Sequence, residues 1–239
     1  MPTPRILDRR LGPYGEVVLR RRGEHYEIIA NGCFLMDTSD GRSERLLVDA
    51  AYDALTARAP AKAGNRPAGD PPGPPAQGPS LLIGGLGVGF SLAHAAANPH
   101  WRHIAVVERE QAIVDWHMTG PLAPLSRDAL ADPRSLIIRT DLLTHLRETD
   151  DRYDALCLDI DNGPDWTVTD DNENLYSPGG LALCQGRLKP GGVLAVWSAQ
   201  PSPAFEEALR NAGFSGVRTE EVRVARGVPD VVHLAVGPA

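Results

Sequence analysis

The chain has 239 residues, of which 42% are hydrophobic, with three cysteines and a formal net charge of −7 at pH 7. That length and apolar content suit one medium domain, or a small unit attached to an ordinary one. The acidic balance argues against a nucleic-acid partner, because neutralising phosphates needs a dominant basic face and the dense basic run here is only Arg20-Arg21-Arg22. Residues Met1 to Arg10 hold no apolar core of signal-peptide length, and no segment approaches the roughly 18 uninterrupted apolar residues of a membrane span, so a cytoplasmic protein with no membrane partner is expected. Cys33, Cys157 and Cys184 are odd in number, far apart and set among apolar residues, which points to reduced core positions. His94, His100 and His103 lack carboxylates at ligand spacing, and no metal is expected.

In chain order, residues 14 to 38 alternate in a strand-like way. Tyr26-Glu-Ile-Ile-Ala30, Asn31-Gly32 and Cys33-Phe-Leu-Met36 predict a hairpin, since Asn-Gly accepts the positive φ angles of a type I′ turn. Ser43 is the expected cap of a helix from Glu44 to Leu55, where apolar residues recur at three and four positions. Residues 1–58 are thus read as a small β-hairpin and helix unit. Residues 59–79 are dominated by proline, glycine and alanine and read as a linker or disordered loop, unable to bury enough apolar surface to offset the entropy of ordering.

From 80 to 239 strands and helices alternate. Strands are expected at Leu81–Gly84, Ile104–Val107, Leu136–Ile138, Ala155–Leu158 and Val193–Trp197, with helices around Ser91–Ala97, Gln111–Trp116, Leu142–Arg147, Leu175–Leu188 and Ala204–Ala212. Residues 216–225 and Val231–Val236 read as a closing antiparallel pair. The expected fold class is α/β: a doubly wound, mostly parallel seven-stranded sheet with a small amino-terminal β-hairpin unit.

The run Leu81-Leu-Ile-Gly-Gly-Leu-Gly-Val-Gly-Phe90 flows from an apolar strand into closely spaced glycines, and Ile104-Ala-Val-Val-Glu108 ends in a carboxylate. Strand, tight turn, helix and second strand describe a nucleoside cofactor site. Gly85, Gly87 and Gly89 let the backbone turn sharply and approach a ligand, and Glu108 can accept hydrogen bonds from two ribose hydroxyls. The spacing Gly-x-Gly-x-Gly differs from the dinucleotide pattern. It resembles the first motif of class I S-adenosylmethionine-dependent enzymes, whose ligand carries a sulfonium and no phosphate. Asp141, in Ile138-Arg-Thr-Asp-Leu142, stands where that class contacts the adenine amino group, and it is equally placed to cap the following helix. Asp159 and Asp161 follow the fourth strand and, two apart, can point to the same side. Two carboxylates beside a sulfonium could hold an amine and take its proton as it attacks. Tyr176 and Trp166 are candidates to line an acceptor pocket, or to pack beneath a loop. Ser198 and Gln200 follow the fifth strand without a nucleophile elbow, so hydrolase chemistry has no support.

Taken together, these residues resemble the spermidine synthase-like, or polyamine aminopropyltransferase, family. The resemblance rests on the small amino-terminal β unit, Gly84-Gly-Leu-Gly-Val-Gly89, Glu108, Asp141, Tyr153-Asp-Ala-Leu-Cys-Leu-Asp159 and Leu188-Lys-Pro-Gly-Gly-Val-Leu194. It implies transfer of an alkyl group, aminopropyl in particular, from S-adenosylmethionine or its decarboxylated form to a small-molecule amine. It further implies that Asp159 positions and deprotonates that amine, that Asp161 binds it, and that a homodimer forms through the amino-terminal unit. This chain has Leu86-Gly87-Val88 where synthases of the family carry a loop aspartate, and Met36 to Arg45 where they carry a glutamine and a Tyr-His pair. Methyl transfer, or a non-catalytic nucleoside-binding role on the same fold, therefore stands as an alternative.

Overall fold

The computed structural model describes residues 3–57, 78–168, 170–222 and 228–239. Most of the stretch read as a linker lies outside the described residues. The chain opens as an antiparallel meander of four strands, β1 (Arg5–Gly12), β2 (Gly15–Arg22), β3 (His25–Ala30) and β4 (Cys33–Asp37), in that spatial order. The β3–β4 turn is the expected one: Asn31 and Gly32 have φ of 50° and 80°. The Asn31 side chain also accepts from the Glu16 amide at 2.9 Å and donates to the Tyr14 carbonyl at 3.1 Å, pinning this turn to the β1–β2 turn. Strand β1 was not foreseen. It is an edge strand with no residue fully buried, so Arg-Ile-Leu-Asp-Arg-Arg-Leu-Gly carries no alternating signal. A hydrogen bond of 2.8 Å from the Trp116 indole to Asp8 ties it to the rest of the molecule.

Helix α1 (Arg42–Thr56) follows. Ser43 does not cap it. Gly41 holds that position, close under the Phe90 ring, while the Asp40 carboxylate accepts from the Arg42 amide at 3.1 Å. Ser43 is turned inward within the first turn, and buried.

The remainder is β5 (Ser80–Gly84), α2 (Phe90–Ala97), β6 (His103–Glu108), α3 (Gln111–Met118), α4 (Ala123–Ala131), β7 (Ser135–Arg139), α5 (Leu142–Glu148), β8 (Tyr153–Leu158), α6 (Asp170–Tyr176), α7 (Pro178–Arg187), β9 (Leu188–Ser198), α8 (Pro203–Asn211), β10 (Ser215–Val222) and β11 (Asp230–Val236). The sheet has seven strands in the order β10-β11-β9-β8-β5-β6-β7. Pairings among β5 to β9 are parallel, and β11 runs antiparallel to both β9 and β10. The order reverses between β5 and β8, which opens a crevice at the carboxyl ends of those strands.

Three helices depart from expectation. The span from Leu175 to Leu188 is two helices, because Ser177 precedes Pro178, adopts extended backbone and caps α7 by accepting from the Gly180 amide at 3.2 Å. Helix α4 buries only Ser126 and Ala129, and the Asp-Asp-Asn-Glu start of α6 is polar, so neither shows an apolar period.

Both faces of the large sheet are covered. Leu81 and Ile83 of β5 join one cluster with Leu19, Ile28, Leu47 and Trp116, and Leu82 joins the other with Leu156, Leu181 and Phe205. The first cluster spans both sheets and takes in Leu47, Val48 and Ala51 of α1, with Leu47 fully buried. No helix among the described residues is long and apolar enough to cross a membrane. Leu47→Ala is expected to lower unfolding free energy by about 2–5 kcal/mol. Leu11→Ala, at a residue 85% exposed, is expected to change it by less than about 0.5 kcal/mol in the same urea titration.

Candidate functional site

The glycine loop joins the end of β5 to α2. Gly85, Gly87 and Gly89 have φ of 90°, 49° and 92°, in the left-handed region that disfavours other residues. The close approach that glycine permits is made here by the chain's own atoms. A Cβ on Gly85 would lie 2.5 Å from the Asp159 carbonyl, one on Gly87 would strike the Met36 sulfur, and one on Gly89 would lie 2.8 Å from the His117 ring.

A cavity of about 450 Å³ opens beside this loop at the switch point. Glu108, at the end of β6, lines it and is buried. One of its carboxylate oxygens accepts from the Leu86 amide at 2.9 Å and the other from the Glu110 amide at 2.7 Å. Burial pushes its pKa up, and the two amides oppose that. Each oxygen keeps a lone pair for a further donor. Asp141 lines the same cavity while capping α5, accepting from the Thr144 amide at 2.9 Å.

Asp159 and Asp161 both reach the cavity, but not as a pair. Strand β8 ends at Leu158 and Asp161 has φ of 53°, which breaks the two-residue alternation. The Asp161 carboxylate accepts from the Val168 amide at 2.9 Å and the Asn172 side chain at 2.7 Å, and so orders its own loop. Among the described residues the Asp159 carboxylate has one weak hydrogen-bond partner, the Ser91 hydroxyl at 3.5 Å. Burial pushes its pKa up to about 8, and the carboxylates of Glu44 and Asp230 add to the shift. Burial likewise raises Glu44, on the first turn of α1, and Asp230, at the start of β11. Reasoning from sequence missed these two. They lie far from the glycine loop along the chain and belong to no motif; only the docking of α1 and β11 against β8 and β9 brings them in.

Tyr176 does not line this cavity. Its hydroxyl donates to the Ile160 carbonyl at 3.3 Å and its ring packs edge-on against Phe205, beneath the loop. Trp166 is 60% exposed beside a separate shallow depression. The Ser198 hydroxyl is spent on the Gln200 carbonyl at 2.7 Å. Among the described residues no three His, Cys, Asp or Glu side chains are grouped to hold a metal ion.

No known family profile matches the chain. It is 33% identical over 123 residues to polyamine aminopropyltransferase 1 of Streptomyces coelicolor, a match covering 51% of this chain and 22% of that protein. It is 27% identical over 163 residues to polyamine aminopropyltransferase 2 of Pseudomonas aeruginosa, covering 60% and 42% respectively. With the polyamine aminopropyltransferase of Corynebacterium efficiens it shares 28% over 189 residues, covering 78% and 31%. The matches thus span less than half the length of each of these relatives. Spermidine synthase from Thermotoga maritima shares the fold, with a TM-score of 0.70 at 13% identity over 97% of this chain and 72% of that one. Spermidine synthase in complex with the transition state analogue AdoDATO gives 0.69 at 13% identity with the same coverage. The fold is that of the class I methyltransferases, with an antiparallel amino-terminal sheet. Within that class the chain is similar in fold to the spermidine synthases just named.

A raised pKa on a carboxyl means that the folded state holds its proton above pH 3.8, where the unfolded chain has released it. The stability this contributes is complete below that value and is lost as pH rises through about 8. The melting temperature of Asp159→Asn is therefore expected to exceed that of the native protein at about pH 9 and to match it near pH 4. Parallel curves across that range, followed by circular dichroism, would show that Asp159 titrates normally.

Proposed function

We propose that this protein is a transferase that binds decarboxylated S-adenosylmethionine and moves its aminopropyl group to an amine. The observation that carries this reading is Asp159, under-bonded at the switch point, with Glu44 and Asp230 as its carboxylate neighbours in one cavity with the glycine loop. Such a site disfavours a donor tail ending in carboxylate and favours one ending in ammonium. The guanidiniums at the cavity wall are committed elsewhere: Arg42 pairs with Asp40 at 2.6 Å, and Arg109 lies over the Tyr14 ring at 4.4 Å.

In this reading Glu108 takes the ribose hydroxyls and Asp141 the adenine amino group. Gly85, Gly87 and Gly89 shape the loop beneath the nucleoside. The amine nitrogen attacks the carbon next to the sulfonium, the carbon–sulfur bond breaks, and a neutral thioether nucleoside leaves. A cation bound beside Asp159 favours its ionised form, and that carboxylate takes the proton shed by the attacking amine. Alignment supplies most of the acceleration, because the sulfonium is already a good leaving group. Asp161 acts by ordering the loop that closes the acceptor side. The reading carries with it a cytoplasmic setting and a homodimer through the four-stranded sheet.

Methyl transfer from the parent donor is the second reading, favoured by Leu86-Gly87-Val88 in place of a loop aspartate. Calorimetry with the two donors separates them: tighter binding of the decarboxylated form is expected, and the reverse order sinks aminopropyl transfer. With an amine panel, Asp159→Asn is expected to lower kcat by a factor of about 100 or more. Glu44→Gln is expected to raise the KM for the amine about tenfold with a smaller change in kcat. Binding of nucleoside without turnover of any amine would point to a non-catalytic protein.

A further inference from the structure

We infer that His117 is a positioning residue for the glycine loop, held in one tautomer by Ser126 so that its ring N–H fixes the Gly87 carbonyl. The inference rests on the reading of that loop as the floor of a nucleoside site. His117 lies in the last turn of α3 and Ser126 on α4, each only 1% exposed. His117 Nε2 is 2.9 Å from the Gly87 carbonyl oxygen, which can only accept, so Nε2 carries the hydrogen. Nδ1 is then the acceptor, and the Ser126 hydroxyl, 2.7 Å away, donates to it. Burial holds the imidazole below its usual pKa, in keeping with a neutral ring.

The loop needs such help. Residues 86–88 belong to neither β5 nor α2; the Leu86 carbonyl accepts from the Gly89 amide at 2.9 Å, and three further peptide groups go to side chains from three elements. The Leu86 amide goes to Glu108 on β6, the Gly87 carbonyl to His117 on α3, and the Val88 amide to the Met36 sulfur on β4 at 3.1 Å. The same imidazole packs against Gly89, the residue that starts α2. One buried ring therefore sets the direction of the Gly87 peptide and the start of the helix behind it. His117 does not line the cavity, so its effect reaches the ligand only through the loop. If the Gly87 carbonyl is released, the Leu86 amide two peptides away loses its alignment with Glu108, and the carboxylate offered to the ribose shifts with it.

The probe is 5′-methylthioadenosine, a thioether nucleoside, with binding measured by calorimetry on the full chain. His117→Leu, which keeps the volume and removes the donor, is expected to weaken binding about tenfold, as for a buried carbonyl left without a partner. His117→Gln, whose side-chain amide can replace the Nε2 hydrogen, is expected to recover most of that loss. Leu47→Ala serves as the control for destabilisation alone and should bind as the native protein does. Native affinity in His117→Leu overturns the inference, as does equal weakness in the Leu and Gln variants. If His117→Leu does not fold, Ser126→Ala is read instead: weakened binding supports the inference and native affinity overturns it. Failure of the native protein to bind the nucleoside overturns the reading of the site, and this inference with it.

Discussion

The ends of β5 and β8 meet with no room for a side chain between them, and the cavity is built outward from that contact. The Gly84 carbonyl accepts from the Asp159 amide at 2.9 Å, the Gly85 amide donates to the Val107 carbonyl at 2.9 Å, and the Asp159 carbonyl fills the space beside Gly85. Three parallel strands are thereby locked at one level. Their last side chains, Glu108 and Asp159, then face the same opening without adjustment. Asp159 is placed by strand register and not by partners of its own, which is why its carboxylate is so weakly bonded. Glu108 is the opposite case: two backbone amides hold it, and its charge has compensation that Asp159 lacks.

That contrast organises the electrostatics. Taking a carboxylate out of water costs free energy unless donors replace the lost hydration. Asp161 and Asp141 find such donors in the backbone amides of Val168 and Thr144, and their roles are accordingly structural as well as site-facing. Asp159, Glu44 and Asp230 have thinner compensation, from the Ser91 hydroxyl for the first and the Ser43 hydroxyl for the other two, and each is raised above its ordinary pKa with burial as the leading cause. A cation entering the cavity would meet carboxyl groups that the protein compensates only in part.

Much of this was legible from residues in order. The parallel strands are continuous apolar runs because both sheet faces are covered, and the Asn31-Gly32 turn and the closing hairpin have local chemistry that announces them. Glu108 stood out as the last residue of an apolar strand, and Asp141 as an aspartate directly before a helix. The failures share a cause. Strand β1 lies at an edge and α4 buries little, so neither leaves a period in the sequence. Ser43 looked like a cap because serine before an apolar stripe usually is one, yet Gly41 and Asp40 take that role and free the serine to turn inward. Asp159 and Asp161 looked like a pair because strand alternation was carried past the strand's end. Glu44, Asp230, Met36 and His117 are tertiary choices, invisible until α1, β11, β4 and α3 are docked.

The sulfur contact between Met36 and the Val88 amide spans both sheets, and its meaning is clearest in the order of assembly. The Asp159 neighbourhood draws on residue 44 near the start of the chain and residue 230 near its end. Joining such distant positions costs loop-closure entropy before it returns any contact energy. The four-stranded meander is local and can form as soon as it is made. The cavity cannot. During synthesis the cavity stays incomplete until β11 pairs with β9 and brings Asp230 to it. Only a chain extended that far holds the whole binding surface, so a prematurely ended product carries the recognisable motif without the site.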